Sequence, residues 1–442
     1  MPRIEPRSAR NGAQRNGAQR NGVQRLWRRF GPGITSGAAD DDPSGITTYS
    51  IAGAQFGLAL LWTALLTWPL MAAVQLMCSR IGMVTGGGLM AAFTRRIPRA
   101  LLIPICLALF SANTLNIGAD LAAMADAAEL LTGISSHLWA GTFAVGILWS
   151  TIQLHYASMA NVLKWLTLVL VAYVATAIKL GPDWHAVLQA TVTPNMPAGD
   201  EARSAWGTLV AILGTTISPY LFFWQAAQEV EEEKAMGRHT QRERVGATTS
   251  ELRWRRLDVG IGTFWSNLVM FFIILTTALT LYPSGMSSLS TSREVAEALR
   301  PLAGSFATTL YAIGLIGTGA LAIPTLAGSA AYASAELFGW RQGMDERLRA
   351  VPGFYAVIIV SVLMGVSMDL LNVNPIQALY WSAVVNGLLA PILLTGIVVV
   401  ASDPVIMQGQ PSPRMACVSV AATALVMTIA AIGLLATMWR TG

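Results

Sequence analysis

The sequence is poor in charge, since only 12% of its 442 residues are Asp, Glu, Lys or Arg. A soluble domain carries about 25% charged residues, and half that share does not cover a surface that faces water. Hydrophobic residues make up 54% of the chain. These proportions exclude a soluble globular protein, a disordered chain and a nucleic-acid-binding protein. They favour a polytopic helical membrane protein.

Cysteine and histidine are also scarce. The three cysteines, Cys78, Cys106 and Cys417, are far apart in apolar stretches, which predicts small hydrophobic side chains and no disulfide framework. The four histidines lie at predicted helix ends or in loops, so a buried histidine relay is not expected. The sequence contains no phosphate-binding glycine loop followed by Lys, no zinc-protease helix and no Gly-x-Ser-x-Gly. It therefore indicates neither an enzyme nor a bound cofactor.

Residues 1 to about 30 differ from the rest of the chain. The pentapeptide Asn11–Arg15 recurs twice with one change, and the segment holds eight Arg and one Glu. It has no apolar core run, so it is not a signal peptide. We predict a disordered, basic cytosolic tail over 1–30 and a transmembrane domain over 31–442.

From residue 31 onward the chain contains eleven apolar segments. They lie near 31–57, 59–79, 100–129, 138–154, 160–180, 205–235, 257–282, 303–336, 353–370, 375–400 and 414–438. Most exceed the ~20 residues that a helix needs to cross the hydrocarbon region. The predicted fold is therefore all-α, with eleven transmembrane helices.

The distribution of basic residues predicts the orientation. With the tail inside, the cytosolic side carries 24 Lys and Arg and the opposite side carries five, which together are the 29 in the sequence. This asymmetry follows the positive-inside rule. It predicts a multi-pass protein of the cell membrane with a cytoplasmic amino terminus and the lipid bilayer as its partner. It makes no prediction of oligomeric state.

Two segments contain a proline among residues that favour unwinding. The first segment contains Pro43 beside Ser44, and the sixth contains Pro219. Proline removes a backbone donor and blocks a helical hydrogen bond. Broken helices at matching positions of two inverted repeats indicate a transporter with its site near the bilayer middle. The predicted units are 31–180 for the first five-helix repeat, 205–400 for the second and 414–438 for an extra helix.

Asp42 is the leading candidate for a functional residue, since an ionised carboxylate inside a bilayer is expensive. One carboxylate with the freed carbonyls of an unwound turn and water suits a divalent cation. A hydrophilic loop between two spans is the alternative, but Gly31–Ala39 is too short to span alone. Asp42 is favoured because it directly precedes Pro43. Asp40 and Asp41 are expected to face an outer vestibule or to cap the second half-helix.

The sixth segment offers oxygen donors around its proline. These are Thr215, Thr216, Ser218 and Tyr220. No Cys, Met or His lies at this break in the sequence, which favours a hard ion over a soft transition metal. Ordinary packing of helices through hydroxyl side chains remains an equal alternative for the two threonines.

Three other polar groups interrupt the apolar segments. Asp120 and Asp126 are six residues apart, so they share no helix face and do not predict a proton relay. The amide of Asn386 is predicted either to face the site or to pack between helices. Glu229 and Glu231–Glu233 stand among basic residues, which predicts a solvated cytosolic helix end.

Both breaks are similar to those of a known family. Gly31–Gly33, Asp42–Gly45 and Ala52–Gly57 resemble the first helix of the NRAMP metal transporters, which has Asp-Pro-Gly-Asn at the same spacing from Ala-Gly-Ala-Gln-Phe-Gly. Ser218–Tyr220 stands where that family usually has Met-Pro-His, and Asp120 fits an acidic position of its third helix. The resemblance implies a LeuT-like fold of two inverted five-helix repeats, with discontinuous helices 1 and 6, that works by alternating access.

Several family positions carry other residues here. Gly45 stands in place of the motif Asn, and Ser218 stands in place of the metal-binding Met. Tyr220 and Gln225 replace the two histidines of the sixth helix, and Ala123 replaces a Glu of the third. The Gln of the tenth helix is missing, and Asn386 is a nearby substitute. In the family the Met selects Mn²⁺ and Fe²⁺, and the His and Glu belong to the proton pathway. The pattern therefore resembles the NRAMP-related magnesium transporters.

The sequence thus predicts transport of a divalent cation, with Mg²⁺ preferred and no proton coupling. The predicted metal site consists of Asp42, Gly45, Thr216, Ile217, Ser218 and Asn386, with Pro43, Ser44, Pro219 and Tyr220 at the helix breaks and Asp41 and Asp120 as accessory acids. Three alternatives remain open. They are a proton-coupled Mn²⁺/Fe²⁺ carrier of the same fold, a carrier of an organic solute, which Asp42 disfavours, and an intramembrane enzyme that uses Asp42 and Asp120.

Overall fold

The computed structural model describes residues 32–154, 168–286, 289, 291–369 and 374–440, and the regular structure in these ranges is helical. The α-helices are α1 (Pro32–Asp40), α2 (Pro43–Phe56), α3 (Trp62–Thr85), α4 (Leu89–Phe93), α5 (Arg99–Thr132), α6 (Ser136–Gln153), α7 (Val171–Leu180), α8 (Trp184–Val192), α9 (Ala202–Thr216), α10 (Pro219–Ala235), α11 (Gln241–Arg244), α12 (Thr249–Thr280), α13 (Ser292–Ala296), α14 (Arg300–Ala303), α15 (Ala307–Phe338), α16 (Pro352–Asp369), α17 (Pro375–Ser402) and α18 (Arg414–Arg440). The predicted tail over 1–30 lies outside the described residues.

Seven stretches in the described ranges are long and apolar enough to cross a membrane. They are Trp62–Thr85, Arg99–Thr132, Ala202–Ala235, Thr249–Thr280, Ser292–Phe338, Pro375–Ser402 and Arg414–Trp439. The apolar helices Val171–Leu180 and Pro352–Met368 are shorter. Because length and hydropathy identify only these stretches, the predicted count of eleven spans stays a prediction.

One helix begins well before its apolar segment. The sequence predicts a span from about residue 257, whereas α12 begins at Thr249. A capping box holds this start: the Glu251 carboxylate accepts from the Thr248 amide at 2.8 Å, and the Thr248 hydroxyl accepts from the Glu251 amide at 3.2 Å. The capped polar turns extend the helix beyond its apolar part.

The two proline-containing segments are each divided between two helices. Helix α1 ends at Asp40 and α2 begins at Pro43, with Asp42 as the N-cap of α2. Helix α9 ends at Thr216 and α10 begins at Pro219, with Ser218 as the N-cap of α10. Each proline occupies the first position of its helix, where the missing N–H removes no intrahelical hydrogen bond.

Glycines let α1 lie directly on α12. A Cβ added at Gly33 would be 2.5 Å from the Val259 nitrogen, and one added at Gly37 would be 2.4 Å from the Gly262 carbonyl oxygen. Backbones approach this closely only where at least one of the two helices has glycine at the contact, as is common in membrane proteins. This packing fixes the position of Asp40 and of the turn that follows.

Three clusters of buried apolar side chains surround the two turns. The first joins α3, α9, α10, α17 and α18. The second includes residues of α2, α12 and α15. The third joins α5, α10, α15 and α16. Polar groups at the turns are thus enclosed by apolar packing on several sides, which raises the strength of their hydrogen bonds and the cost of leaving any unpaired.

Replacing Gly37 by alanine tests the contact between α1 and α12. The added methyl group overlaps the backbone of Gly262, so the free energy of unfolding in detergent should fall by about 1–3 kcal/mol. The control is Gly141→Ala in α6, where a Cβ meets nothing within 4 Å and helix propensity alone favours alanine. Equal stability changes in the two variants, measured by thermal or denaturant unfolding, would contradict the contact.

Candidate functional site

The Asp42 carboxylate lies at the turn between α1 and α2 and is only 1% exposed. Its Oδ1 accepts hydrogen bonds from the Ser44 hydroxyl at 2.6 Å and from the Gly45 amide at 2.7 Å. Its Oδ2 accepts from the Asn116 amide group of α5 at 3.1 Å. Hydrogen bonds of this kind favour an ionised carboxylate, so the site can hold a buried negative charge.

Hydroxyl pairs join this turn to the one between α9 and α10. The hydroxyls of Ser44 and Thr215 are 3.1 Å apart, and those of Tyr49 and Thr216 are 3.0 Å apart. The Thr216 hydroxyl also donates to the carbonyl of Ile212 at 2.7 Å. The two threonines therefore contact α2 directly, and the turns meet through oxygen atoms.

Ser218 and Tyr220 lie at the start of α10, on either side of Pro219. The Ser218 hydroxyl donates to the carbonyls of Thr215 and Gly214 at 2.5 and 2.9 Å. The Tyr220 hydroxyl is 3.0 Å from the Ala39 carbonyl oxygen and 3.5 Å from Asp42 Oδ2. Since a phenol carries one proton, Tyr220 divides it between these acceptors. Tyr220 thus connects α10 to the turn that holds Asp42.

Gly45 leaves a small space beside the carboxylate. A Cβ at this position would lie 3.3 Å from the Tyr49 ring, 3.4 Å from Thr215 Oγ1 and 3.5 Å from Asp42 Oδ1. A side chain here would crowd Thr215 Oγ1 and Asp42 Oδ1. Glycine therefore keeps open the position where the resembling family carries Asn.

Asp40 and Asp41 are both buried, at 0% and 2% exposure. The Ser266 hydroxyl of α12 donates to them, with distances of 2.5 Å to Asp40 Oδ2 and 3.1 Å to Asp41 Oδ1. The expectation that they cap the second half-helix is wrong, because Asp42 is the N-cap of α2. Both are buried in this structure, so whether they face an outer vestibule stays a prediction.

Asp120 and Asn386 are buried without being bonded to the other predicted ligands. Neither the carboxylate oxygens of Asp120 nor the Oδ1 of Asn386 accept a hydrogen bond from any described residue. Asp120 lies one turn after Asn116 on α5, on the same face. Asn386 adjoins Gly387, which packs against Gly214 of α9. Both side chains are therefore near the turns, but neither is part of the hydrogen bonds around Asp42.

Three contacts at the site come from distant parts of the chain that the sequence motifs do not single out. Asn116 holds Asp42, and its own Oδ1 accepts from the Ser382 hydroxyl of α17 at 2.6 Å. The Sδ of Met270 lies 3.7 Å from Thr216 Oγ1. No sequence signal pairs these residues, because each contact depends on how separate helices pack. A thioether, absent from the break in the sequence, thus lies beside it in space.

The described residues contain no group of three or more His, Cys, Asp or Glu side chains placed to hold a metal ion. An ion between the two turns would be held by a carboxylate with hydroxyls, carbonyls and water. Such oxygen ligands suit hard cations.

A buried ionic network lies farther along α10. The Arg255 guanidinium of α12 contacts Glu229 at 2.8 Å, Asp258 at 2.7 Å and also Glu232. The Asp258 carboxylate accepts from the Gly33 amide at 2.8 Å. Glu229 is 1% exposed, so the prediction of a solvated helix end is wrong for this residue. The network ties α10, α12 and the start of α1 together.

Comparisons with solved structures define the class of fold. A manganese transporter from Eremococcus coleocola superposes with a TM-score of 0.72 at 18% identity, covering 92% of this chain and 86% of that one. The nucleobase-cation-symport transporter Mhp1 superposes with a TM-score of 0.55 at 15% identity, covering 93% and 92%. The chain is therefore an all-helical membrane protein that is structurally similar to LeuT-fold transporters.

Sequence comparison gives the family. The family model described as "Natural resistance-associated macrophage protein-like" (Nramp) matches residues 33–437. A divalent metal cation transporter MntH from Acidiphilium cryptum is 27% identical over 399 residues, or 84% of this chain and 86% of that protein. One from Aeromonas hydrophila is 26% identical over 308 residues, or 67% and 71%. The chain belongs to the Nramp family of multi-pass membrane transporters of divalent metal ions, and it is not an enzyme.

Replacing Arg255 by glutamine tests the ionic network. The change leaves Glu229 and Asp258 buried without their cation, so the free energy of unfolding should fall by about 3–5 kcal/mol. The control is Arg300→Gln, whose ion pair with Glu297 is largely exposed and should contribute about 0–1 kcal/mol. Unfolding curves of both variants in the same detergent decide the comparison, and equal losses would argue against a buried network.

Proposed function

We propose that this chain transports divalent cations by alternating access, with Mg²⁺ preferred and without proton coupling. The proposal rests on the buried Asp42 carboxylate. It lies where α1 ends and α2 begins, and this turn meets the one between α9 and α10. The neighbouring groups on both turns are hydroxyls and carbonyls. We assign the ion to Asp42 together with oxygens of Thr216, Ile217 and Ser218, beside the space at Gly45, with Asn386 as a further candidate.

The ligand chemistry supports magnesium. Mg²⁺ prefers oxygen ligands in octahedral geometry, dehydrates reluctantly and usually keeps several waters. Gly45 and Ser218 are smaller than the Asn and Met that the resembling family has at these positions, which leaves room for a partly hydrated ion. Ser218 also offers oxygen in place of sulfur, and sulfur ligands favour softer metals.

Three residues near the site support the proposed absence of proton coupling. Tyr220 and Gln225 stand where the resembling family has histidines, and Ala123 stands where it has a Glu. None of these three side chains gains or loses a proton near neutral pH. Entry of the cation would then be driven by the membrane potential, which is worth about 2.3 kcal/mol per charge per 100 mV.

For the architecture we propose two inverted five-helix repeats over 31–180 and 205–400, with an extra helix over 414–438 and a cytoplasmic amino terminus. Helices α1 and α2 then form the first, discontinuous span, and α9 and α10 form the sixth. Asp42 is the N-cap of α2 and Ser218 is the N-cap of α10, which supports this division into two related halves. The seven long stretches, the two shorter apolar helices, the divided first span of α1 and α2, and α6 together make eleven spans.

One observation favours a second candidate, a proton-coupled Mn²⁺/Fe²⁺ transporter of the same fold. The Met270 sulfur lies 3.7 Å from the Thr216 hydroxyl. A thioether within reach of the ion would favour a softer metal. Substitution of Met270 therefore separates the two candidates.

Transport by proteoliposomes tests the ion and the coupling. The protein should take up Mg²⁺ in response to an inside-negative potential, with no change in internal pH, and Asp42→Asn should reduce uptake by at least about tenfold because the buried charge is lost. Met270→Leu should leave Mg²⁺ uptake intact. The control for a lost surface carboxylate is Glu201→Gln, at an exposed position. Proton influx that follows Mn²⁺ entry and is lost in Met270→Leu would establish the second candidate.

Gly45→Asn combined with Ser218→Met tests the basis of selectivity. The larger side chains fill the space beside Asp42 and introduce a thioether, so Mg²⁺ affinity should fall and Mn²⁺ affinity should rise, each by about tenfold or ~1.4 kcal/mol. Calorimetric titration of both ions into the purified variant measures this change. Each single variant serves as a control for crowding alone, since Gly45→Asn adds no sulfur. An unchanged ratio of affinities would argue against these positions as the source of selectivity.

A further inference from the structure

The proposed ion site uses only one of the carboxylates at the first turn. Asp40 and Asp41 are as deeply buried as Asp42, and both face Ser266 of α12. A serine hydroxyl has one proton, so Ser266 satisfies only one of the two carboxylates at a time. Two buried acids therefore share a single donor from the neighbouring helix.

The hydroxyl of Ser36, one helical turn earlier on α1, is a further uncharged oxygen of this region. Ser36 is four residues before Asp40, so the two side chains share one face of α1. The Ser36 hydroxyl is 2% exposed and has no hydrogen-bond partner in the described ranges. The Oδ1 of Asp40 is likewise buried and unpaired there. One face of α1 thus carries two unpaired oxygens, the Ser36 hydroxyl and the second oxygen of the Asp40 carboxylate that Ser266 contacts.

The charges around the turn are not balanced by the protein. Asp40, Asp42 and Asp120 are all buried, at 1% exposure or less. In the described parts of the chain, none of these carboxylates forms an ion pair with Lys, Arg or His. Four carboxylates, counting Asp41, carry four negative charges when ionised. One divalent cation at Asp42 offsets two of these, and a second would offset the rest.

We propose that Asp40 and Asp41, with the hydroxyls of Ser36 and Ser266, form a second site for a hard divalent cation beside the Asp42 site. All its ligands are oxygens, which suits Mg²⁺ or Mn²⁺ retaining water. The site lies on the face of α1 that packs against α12 through Gly33 and Gly37. A cation there holds α1 on α12 by bridging the two helices. The identity of the ion rests on the proposed function, whereas the number of ions bound does not.

Counting bound ions tests the second site. The full chain in lipid nanodiscs is equilibrated with Mn²⁺, as a spectroscopic probe, and separately with Mg²⁺, and bound metal is measured by dialysis and elemental analysis. The wild type should bind two ions per chain. Asp40→Asn combined with Asp41→Asn should bind one, as should Asp42→Asn. Glu201→Gln, which removes an exposed carboxylate far along the chain, should still bind two.

A more conservative substitution provides a second test if the double variant does not fold. Ser266→Ala keeps both carboxylates and removes one oxygen, so the weaker of two binding steps should lose about tenfold in affinity. Electron paramagnetic resonance of Mn²⁺ gives an independent readout. Two ions at neighbouring sites broaden each other's lines, and the broadening should disappear in Asp42→Asn.

One ion per wild-type chain at every pH would overturn the second site, since protons would then balance Asp40 and Asp41. Two ions in the double variant, or the absence of line broadening in the doubly loaded wild type, would also overturn it. These results leave the proposed transport untouched. Conversely, a chain that binds two ions but moves no Mg²⁺ retains the second site and loses the proposed function.

Discussion

The structure depends on the burial of a negatively charged turn among apolar helices. Burying a carboxylate is unfavourable unless donors replace the water that it loses. Asp42 obtains these donors from the first turn of its own helix, through Ser44 and Gly45, and from α5, through Asn116. A continuous helix would engage the Gly45 amide in the helical ladder. The interruption before Pro43 is therefore what allows the carboxylate to be stabilised inside the bundle.

Close packing makes these polar contacts possible. A Cβ at Gly53 would lie 2.0 Å from Thr277 Oγ1, and one at Gly214 would lie 2.1 Å from the Ala383 carbonyl oxygen. Glycine thus brings α2 onto α12 and α9 onto α17, as it brings α1 onto α12. Short side chains such as Ser44 and Thr215 reach each other only when helix axes are this close. Small residues and hydroxyls therefore act together, as is typical of helices packed in membranes.

The sequence predicts correctly those features that depend on residues close together along the chain. Hydropathy located some helices to within a few residues, as for 375–400 against Pro375–Ser402, whereas α12 begins at Thr249 and not near 257. The resemblance at Asp42–Gly45 agrees with the family that the comparisons show. Prediction from the sequence failed where the signal is not local. The bond from Asn116 to Asp42 joins residues 74 positions apart, and the one from Ser382 to Asn116 spans 266. Glu229 was misread because its partner Arg255 lies on another helix.

The pattern of donors also limits how an ion can approach Asp42 under the proposed function. A carboxylate has about four lone-pair positions on its two oxygens. Oδ1 already accepts from Ser44 and Gly45, whereas Oδ2 accepts from Asn116 and shares the Tyr220 proton with the Ala39 carbonyl. When that proton turns to Ala39, one position on Oδ2 is free. Asp42 then offers a single oxygen to a cation, and the remaining positions of an octahedral ion fall to uncharged oxygens and water. Mg²⁺ tolerates that arrangement because it retains water, whereas an ion that requires several charged or sulfur ligands gains little from it.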